Sequence, residues 1–232
     1  MLKVLYRISD KGRPKQKLPN ASKENCLQNA LNVFGHEDFY VFADNCTQET
    51  IDMIISKGLN PFNLSLGNSG SWRHCVNFAI NNFSLETFIY FLEDDYLHLN
   101  TAKTALMEGL QIASYVTLYD HPDKYIDGIN PFVRFNSEKS RVYKTETTHW
   151  KETNSTTMTF ATSVKTITKE KGIWWKFTEN VLPEDFNAFQ KIINYSIRNP
   201  FRFKRKLISA LPGLSTHSEV EWISPFVDWS TI

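Results

Sequence analysis

The chain has 232 residues, 41% hydrophobic and 14% aromatic, with a formal net charge of +1. That length supports one sizeable core, and the apolar content excludes a disordered chain. The near-neutral balance excludes a whole-chain field for nucleic acid, so no nucleic-acid partner is expected.

Leu2–Ile8 reads as a first buried strand, and Asn25–Phe34 as a helix with Leu27, Ala30, Leu31 and Phe34 at helical spacing before Gly35. Asp38–Asp44 is a second apolar run that closes on an acid. Glu49–Lys57 reads as a short helix stopped by Gly58, Phe62–Leu66 as a third strand, and Ser71–Phe83 as a helix. A fourth strand, Phe88–Leu92, stops at three consecutive acids, Glu93, Asp94 and Asp95. Thr101–Ala113 then reads as a helix and Tyr115–Tyr119 as a strand.

Alternating strands and helices with near-continuous apolar runs predict an α/β fold, with a mostly parallel central sheet flanked by helices. Ligands bind outside the carboxyl ends of such strands, where Asp44 and Glu93–Asp95 both fall. Two carboxylates about 4 Å apart repel by roughly 4 kcal/mol at an effective dielectric near 20. Either water screens the three acids, as in a solvated turn, or a cation holds them together.

After residue 120 the pattern changes. Residues 120–136 are irregular and rich in Pro, Gly and Asp, which suits a binding loop. Arg141–Thr148 and Thr156–Thr162 have β character and are expected to pair as a small β-hairpin across the polar K-E-T-N-S. Val164–Glu170 reads as a short helix and Pro183–Ile197 as a stronger one. The C-terminal stretch lacks periodicity and is expected to wrap the domain as an ordered tail. One domain, 1–232, is expected, with 1–119, 120–200 and a 201–232 tail as its parts.

Three widely spaced cysteines, Cys26, Cys46 and Cys75, form no C-x-x-C pair. They argue against a disulfide framework or a zinc site and for reduced thiols in a cytosol-like compartment. The N-terminus is too short and interrupted for a signal peptide, and no apolar stretch of about 18 residues occurs. A soluble, cytoplasmic protein is the expectation.

Four local motifs carry a resemblance. They are V-F-A-D-N (41–45), L-G-N-S-G-S-W-R-H-C-V-N-F-A-I (66–80), Y-F-L-E-D-D-Y (90–96) and L-P-E-D-F-N-A-F (182–189). In this order the chain resembles a GT-A nucleotide-sugar glycosyltransferase, similar to glycosyltransferase family 2, over about residues 1–200 and more loosely the tail. Its size and layout are also close to those of small glycosyltransferases of large algal viruses. It departs from the family at Glu93, where many members carry Asp, and in a first strand without the usual Pro-x-Tyr-Asn wording.

The resemblance implies a nucleotide-sugar donor, UDP-linked, a glycan or other hydroxyl acceptor, and Mn²⁺ or Mg²⁺ as cofactor. It implies donor contacts from Ile8, Asp44, Asn68, Gly70, Arg73, Glu93 and Asp94. Asp95 is implied as the direct metal ligand, His217 as completing the metal shell or touching the diphosphate, and Asp185 beside Glu184 as the catalytic base of an inverting transfer.

Each residue also has a plainer reading. Asp44 precedes a short helix and suits its N-cap region. In 67–74, Gly70 permits close backbone approach and Arg73 suits a phosphate, whereas a loop with a helix capped at Ser69 or Ser71 needs neither. Pro183 followed by Glu184 and Asp185 is an ordinary helix start, whose dipole lowers a carboxylate's pKa while desolvation raises it. A lone histidine in a tail, such as His217, is usually just exposed. His74, His98, His121 and His149 take the bland reading, with His149 as an acceptor-side candidate; Trp150, Trp174 and Trp175 suit either a sugar face or the core.

The basic run at 201–207 reads as a solvated helix face, as a surface for anionic lipid or a lipid-linked acceptor, or as a diphosphate patch. Two competing functions stay open: a sugar nucleotidyltransferase, for which K-G-R-P-K (11–15) is a faint version of the required loop, and a non-catalytic nucleotide- or sugar-binding domain.

Overall fold

A computed structural model describes residues 1–12, 15–198 and 205–232. Parts of the basic run and of K-G-R-P-K therefore lie outside the described residues. In chain order the elements are β1 (Leu2–Ser9), α1 (Lys23–Phe34), β2 (Phe39–Asp44), α2 (Gln48–Ser56), β3 (Phe62–Leu64), α3 (Gly67–Asn82), β4 (Phe88–Glu93), β5 (Tyr96–His98), α4 (Ala102–Ile112) and β6 (Tyr115–Thr117). The second half holds β7 (Val133–Arg134), β8 (Ser137–Glu138), β9 (Val142–Lys144), β10 (His149–Glu152), β11 (Phe160–Ser163), α5 (Val164–Lys176), α6 (Asp185–Arg198), β12 (Leu207–Leu211) and β13 (Ser215–His217).

The central sheet runs β3-β2-β1-β4-β11-β6-β12-β10-β9. Only β11 and β10 oppose the common direction. This is the mixed α/β, mostly parallel sheet flanked by helices that the alternating pattern predicts. Side chains alternate across it. Val4, Tyr6, Ile8, Tyr90 and Leu92 pack with α1 and α4 on one face. Leu5, Phe42, Ile89 and Phe91 pack with Trp72 of α3, Trp174 of α5 and Phe189 of α6 on the other. Trp150 and Trp174 are thus core residues, and Trp175 is half-buried beneath the Arg73 and Lys171 cations.

Several expectations need correction. Residues 141–148 do not pair with 156–162: β9 pairs with β10, while β11 inserts antiparallel between β4 and β6. Phe160 and Ala161 are fully buried there, so packing draws the segment into the sheet centre. The segment expected as a 201–232 tail instead supplies β12, a buried strand beside β6, and β13 beside β5, where tertiary burial overrides a pattern too short to read. Helix α3 begins at Gly67 and takes in residues expected as a loop before Ser71, and α5 extends to Lys176, past the expected Glu170. No helix among the described residues is long and apolar enough to cross a membrane.

Candidate active site

The chain leaves β1 toward β2 and β3, then returns to place β4 on the other side of β1. That reversal opens a crevice at the carboxyl ends of β1 and β4. Here the Ser9 N–H donates to Asp94 Oδ2 at 3.1 Å, tying the acidic turn to the end of β1.

The C-terminal segment supplies the opposite wall. Strand β13 pairs antiparallel with β5, setting His217 opposite Tyr96, and the Ser218 N–H donates to the Asp95 carbonyl at 2.8 Å. His217 Nε2 lies 3.2 Å from Asp95 Oδ2. The imidazole Nδ1 accepts from the Glu219 N–H at 3.2 Å, so the ring hydrogen sits on Nε2 and points at Asp95. Lys17, bridged to Glu219 through the backbone, brings its Nζ to 3.6 Å from the same carboxylate oxygen.

The three acids have separate solutions. Glu93 pairs with Arg7 at 2.9 Å and accepts from Thr159 Oγ1 at 3.2 Å. Burial, reinforced by the Asp95 charge, pushes Asp94 above the ordinary carboxylate range. Burial acts to raise Asp95 too, but the hydrogen bond from His217, then the charges of Lys17 and Lys15, hold it well below the carboxylate range. The chain's own groups compensate Glu93, through Arg7, and Asp95, through His217 and Lys17, while Asp94, held by the Ser9 N–H, bears the repulsion from Asp95.

The donor set also fits a divalent ion. Asp95 Oδ2 suits a hard ion such as Mn²⁺ or Mg²⁺, and His217 Nε2, 3.2 Å away, could join it once its ring hydrogen moves to Nδ1 and the Glu219 N–H contact is given up. Among the described residues no group of three or more His, Cys, Asp and Glu forms a metal cage. The fit is to an ion that takes its remaining ligands from substrate oxygens and water.

Arg7, on β1 and 6% exposed, organises the floor. Its Nη1 donates to the Asn68 carbonyl and to Asn68 Oδ1, both at 3.0 Å, while Nη2 holds Glu93. Asp44 Oδ1 accepts from the N–H groups of Leu66 at 2.6 Å and Gly67 at 3.2 Å. It therefore caps α3 rather than α2 and fixes the entry to that helix. Gly70 lies within α3, where an added Cβ would stand 2.9 Å from Leu66 Cβ. Arg73 is committed elsewhere, donating to Thr178 Oγ1 at 2.8 Å and the Trp175 carbonyl at 2.6 Å at the end of α5. Ile8 is buried, with its carbonyl 3.4 Å from Cys46 Sγ.

Asp185 opens α6. Burial raises it to about 6, against the Phe186 N–H at 2.6 Å, and the nearby Glu93 charge adds to the rise. The tension between helix dipole and desolvation is thus resolved toward desolvation. Glu184 instead accepts from the side chains of Asn180 at 2.9 Å and Asn187 at 2.8 Å, within its own helix start. His98 is a core residue, as its bland reading had it, and burial lowers it to about 3. His149 is exposed and borders an apolar hollow with Val142, Leu211, Pro212 and Phe226.

Sequence reasoning missed two supporting groups. Asp10, after β1, accepts from Lys23, from the Thr47 N–H at 2.7 Å and from Thr50 Oγ1 at 3.1 Å; against burial, these hold it at about 2. Lys124, 2% exposed, donates to Asn154 Oδ1 at 2.9 Å, Ser155 Oγ at 2.7 Å and Asp123 Oδ2 at 3.2 Å. The available signal was D-H-P-D-K-Y (120–125), a dense run of ionisable residues directly after β6.

No protein-family model matches the chain, and no curated protein matches it in sequence. Among solved structures it is similar to the 2-C-methyl-D-erythritol 4-phosphate cytidylyltransferase of Francisella tularensis, with 9% identity and a TM-score of 0.51 over 97% of this chain and 94% of that one. A cytidylyltransferase from Leptospira borgpetersenii aligns at 12% identity and a TM-score of 0.41, over 74% of this chain; the chain spans 64% of that protein. The glucosyl-3-phosphoglycerate synthase of Mycobacterium tuberculosis, in complex with Mg²⁺ and uridine diphosphate, aligns at 12% identity and a TM-score of 0.33, over 50% of this chain and 42% of that one. The first likeness is one of fold, a GT-A-like α/β sheet; the other two are too low to carry an argument.

Proposed function

We propose that this chain is a metal-dependent inverting glycosyltransferase, taking a sugar from a nucleotide diphosphate donor, UDP-linked, to an acceptor hydroxyl. The observation that carries the reading is the pairing of two unlike carboxylate environments at one crevice. Asp95 is held ionised against His217, while Asp185, within reach of the Glu93 charge, is raised to about 6. Such a split suits one group for cation and diphosphate binding and another for proton transfer near neutral pH.

In this mechanism Asp95 would hold the divalent ion, joined by His217 once its ring hydrogen moves to Nδ1, and the ion would supply positive charge against the departing diphosphate. Arg7 keeps Glu93 and Asn68 fixed beneath the donor. Asp185 accepts the proton of the acceptor hydroxyl as its oxygen forms a bond to the anomeric carbon. The bond from that carbon to the diphosphate oxygen breaks, and the nucleoside diphosphate leaves with the electron pair. Asp185 is a competent base because it is ionised in most molecules above about pH 6.

A nucleotidyltransferase is the second reading. It is favoured by Lys15, Lys17 and Lys23, which follow β1 and pair with Glu219, Asp95 and Asp10 around the crevice. A thermal-shift panel of UDP-, GDP-, dTDP- and CMP-sugars with and without Mn²⁺ separates the two, run beside a pyrophosphate-release assay with CTP and sugar phosphates. A metal-dependent rise with a nucleotide sugar, and donor hydrolysis that Asp185→Asn abolishes while binding persists, is expected. Pyrophosphate release from CTP without donor hydrolysis overturns the glycosyltransferase reading. Nucleotide binding without any turnover leaves a binding domain.

A further inference from the structure

The 126–136 loop lies between the polar network of Lys124 and β8, and it exposes an apolar surface that the reaction does not need. Ile126 is 41% exposed, Ile129 and Phe132 50%, and Phe135 94%. The loop is closed at its base, where the Asn136 N–H donates to Asp127 Oδ1 at 2.9 Å and the Asp127 N–H donates to Asn136 Oδ1 at 3.2 Å. It is anchored from within by buried Val133 and by Asn130, which donates to Asp123 Oδ2 at 2.8 Å. Its apolar side chains are therefore presented on a fixed frame.

The tip is where the backbone works hardest. Arg134 pairs with Ser137, so Phe135 and Asn136 form a two-residue hairpin turn with φ of 55° and 54°. Such a turn favours Asn or Gly at its first position, and a bulky aromatic there is disfavoured. Phe135 gains no burial in return. A strained and solvent-facing aromatic points to a role outside the fold.

The surroundings say what it meets. Arg134 and Lys139 flank the tip and carry no ion pair among the described residues. The outward anion of the loop, Asp127, is used in its closure, and Glu138 is turned inward to Thr153 and the Asn154 N–H. A second exposed apolar pair, Val181 and Leu182, precedes α6, whose Phe186 lies 6.2 Å from Phe132. A protein partner asks for a closely packed apolar core ringed by a polar rim. A convex turn with an aromatic tip and flanking cations instead suits an anionic bilayer, with the ring in the acyl boundary and the cations among the headgroups.

We propose that the 126–136 loop docks the protein on an anionic lipid surface, with Phe135 as the inserted residue, on the side of the crevice where Asp185 opens α6. The contact is peripheral and separate from the donor site. The test is co-sedimentation of the full chain with vesicles of phosphatidylcholine alone or mixed with phosphatidylserine. Binding only to the anionic vesicles, weakened by salt, is expected. Phe135→Asn should cut it by about tenfold, the scale of losing one buried aromatic, while the melting temperature stays level or rises because Asn suits the turn. Ile129→Ser, which leaves the turn alone, should also weaken it. No binding to anionic vesicles, or binding that both substitutions leave unchanged, overturns the proposal. Concentration-dependent self-association abolished by Phe135→Asn overturns it in favour of a second copy of the chain. Donor hydrolysis without vesicles is unaffected by either substitution, so failure here is distinct from failure of the catalytic reading.

Discussion

Asp95, at the turn that ends the fourth strand, meets the imidazole of His217 at 3.2 Å, and the imidazole is fixed from behind by the Glu219 N–H at 3.2 Å. The pair joins the middle of the chain to its C-terminal segment at the mouth of the crevice. His217→Ala removes the strongest partner of Asp95 and leaves it the charges of Lys17 and the more distant Lys15. A loss of about 1.5–3 kcal/mol is expected, the scale of a hydrogen bond to a charged group. Urea denaturation at neutral pH measures it, and the same variant should lose any Mn²⁺-dependent thermal shift with a nucleotide sugar.

Asp185→Asn should lower transfer roughly 10²–10⁴-fold, as expected for loss of a general base. It should also stabilise the protein. Because the folded carboxyl is raised from 3.8 to about 6, the unfolded chain holds fewer protons between those values, and stability falls as pH rises through them. The variant has no such penalty, so it should gain up to roughly 3 kcal/mol at pH 7 and little at pH 4. Denaturation of both proteins at the two pH values tests the sign.

The kcat/KM profile should rise with pH through an apparent pKa of about 6 as Asp185 ionises. The Glu93 charge contributes to that value, so Glu93→Gln should move the acid limb to lower pH. A limb that stays in place in Glu93→Gln assigns it to another group.

Arg7→Lys keeps a charge but cannot hold Asn68 and Glu93 together, because an ammonium lacks the planar fork. A cost of about 3 kcal/mol is expected, as for breaking a buried pair. Crystals of the variant, or a fall in melting temperature with weakened donor binding, check it.

Gly109→Ala would place a Cβ 2.9 Å from Val116 Cγ1 and 3.0 Å from two ring carbons of Trp150. Neither neighbour is the free end of a flexible chain, so overpacking should cost about 1–3 kcal/mol. A thermal melt suffices to measure it.

The two ends of the acid rim were legible for different reasons. Phe88–Leu92 and Phe39–Ala43 announce themselves as buried strands because both faces of the sheet are covered, and the acids that follow must then lie at strand ends. Asp185 was legible as a helix opener, but its raised pKa was not, since burial and the Glu93 charge come from other elements. Arg73 read as a phosphate ligand by type, yet its guanidinium is spent on α5, a contact that no spacing along α3 encodes.

Local pattern by itself determined the α/β alternation, the parallel half of the sheet and the position of the three acids at its carboxyl rim, because period and burial are written into neighbouring residues. Only the tertiary structure decided that β11 enters antiparallel beside β4, that β12 joins the sheet, and that Arg7 takes Glu93 while His217 and Lys17 take Asp95. Charges compensate through space, across chain separations that no local window spans.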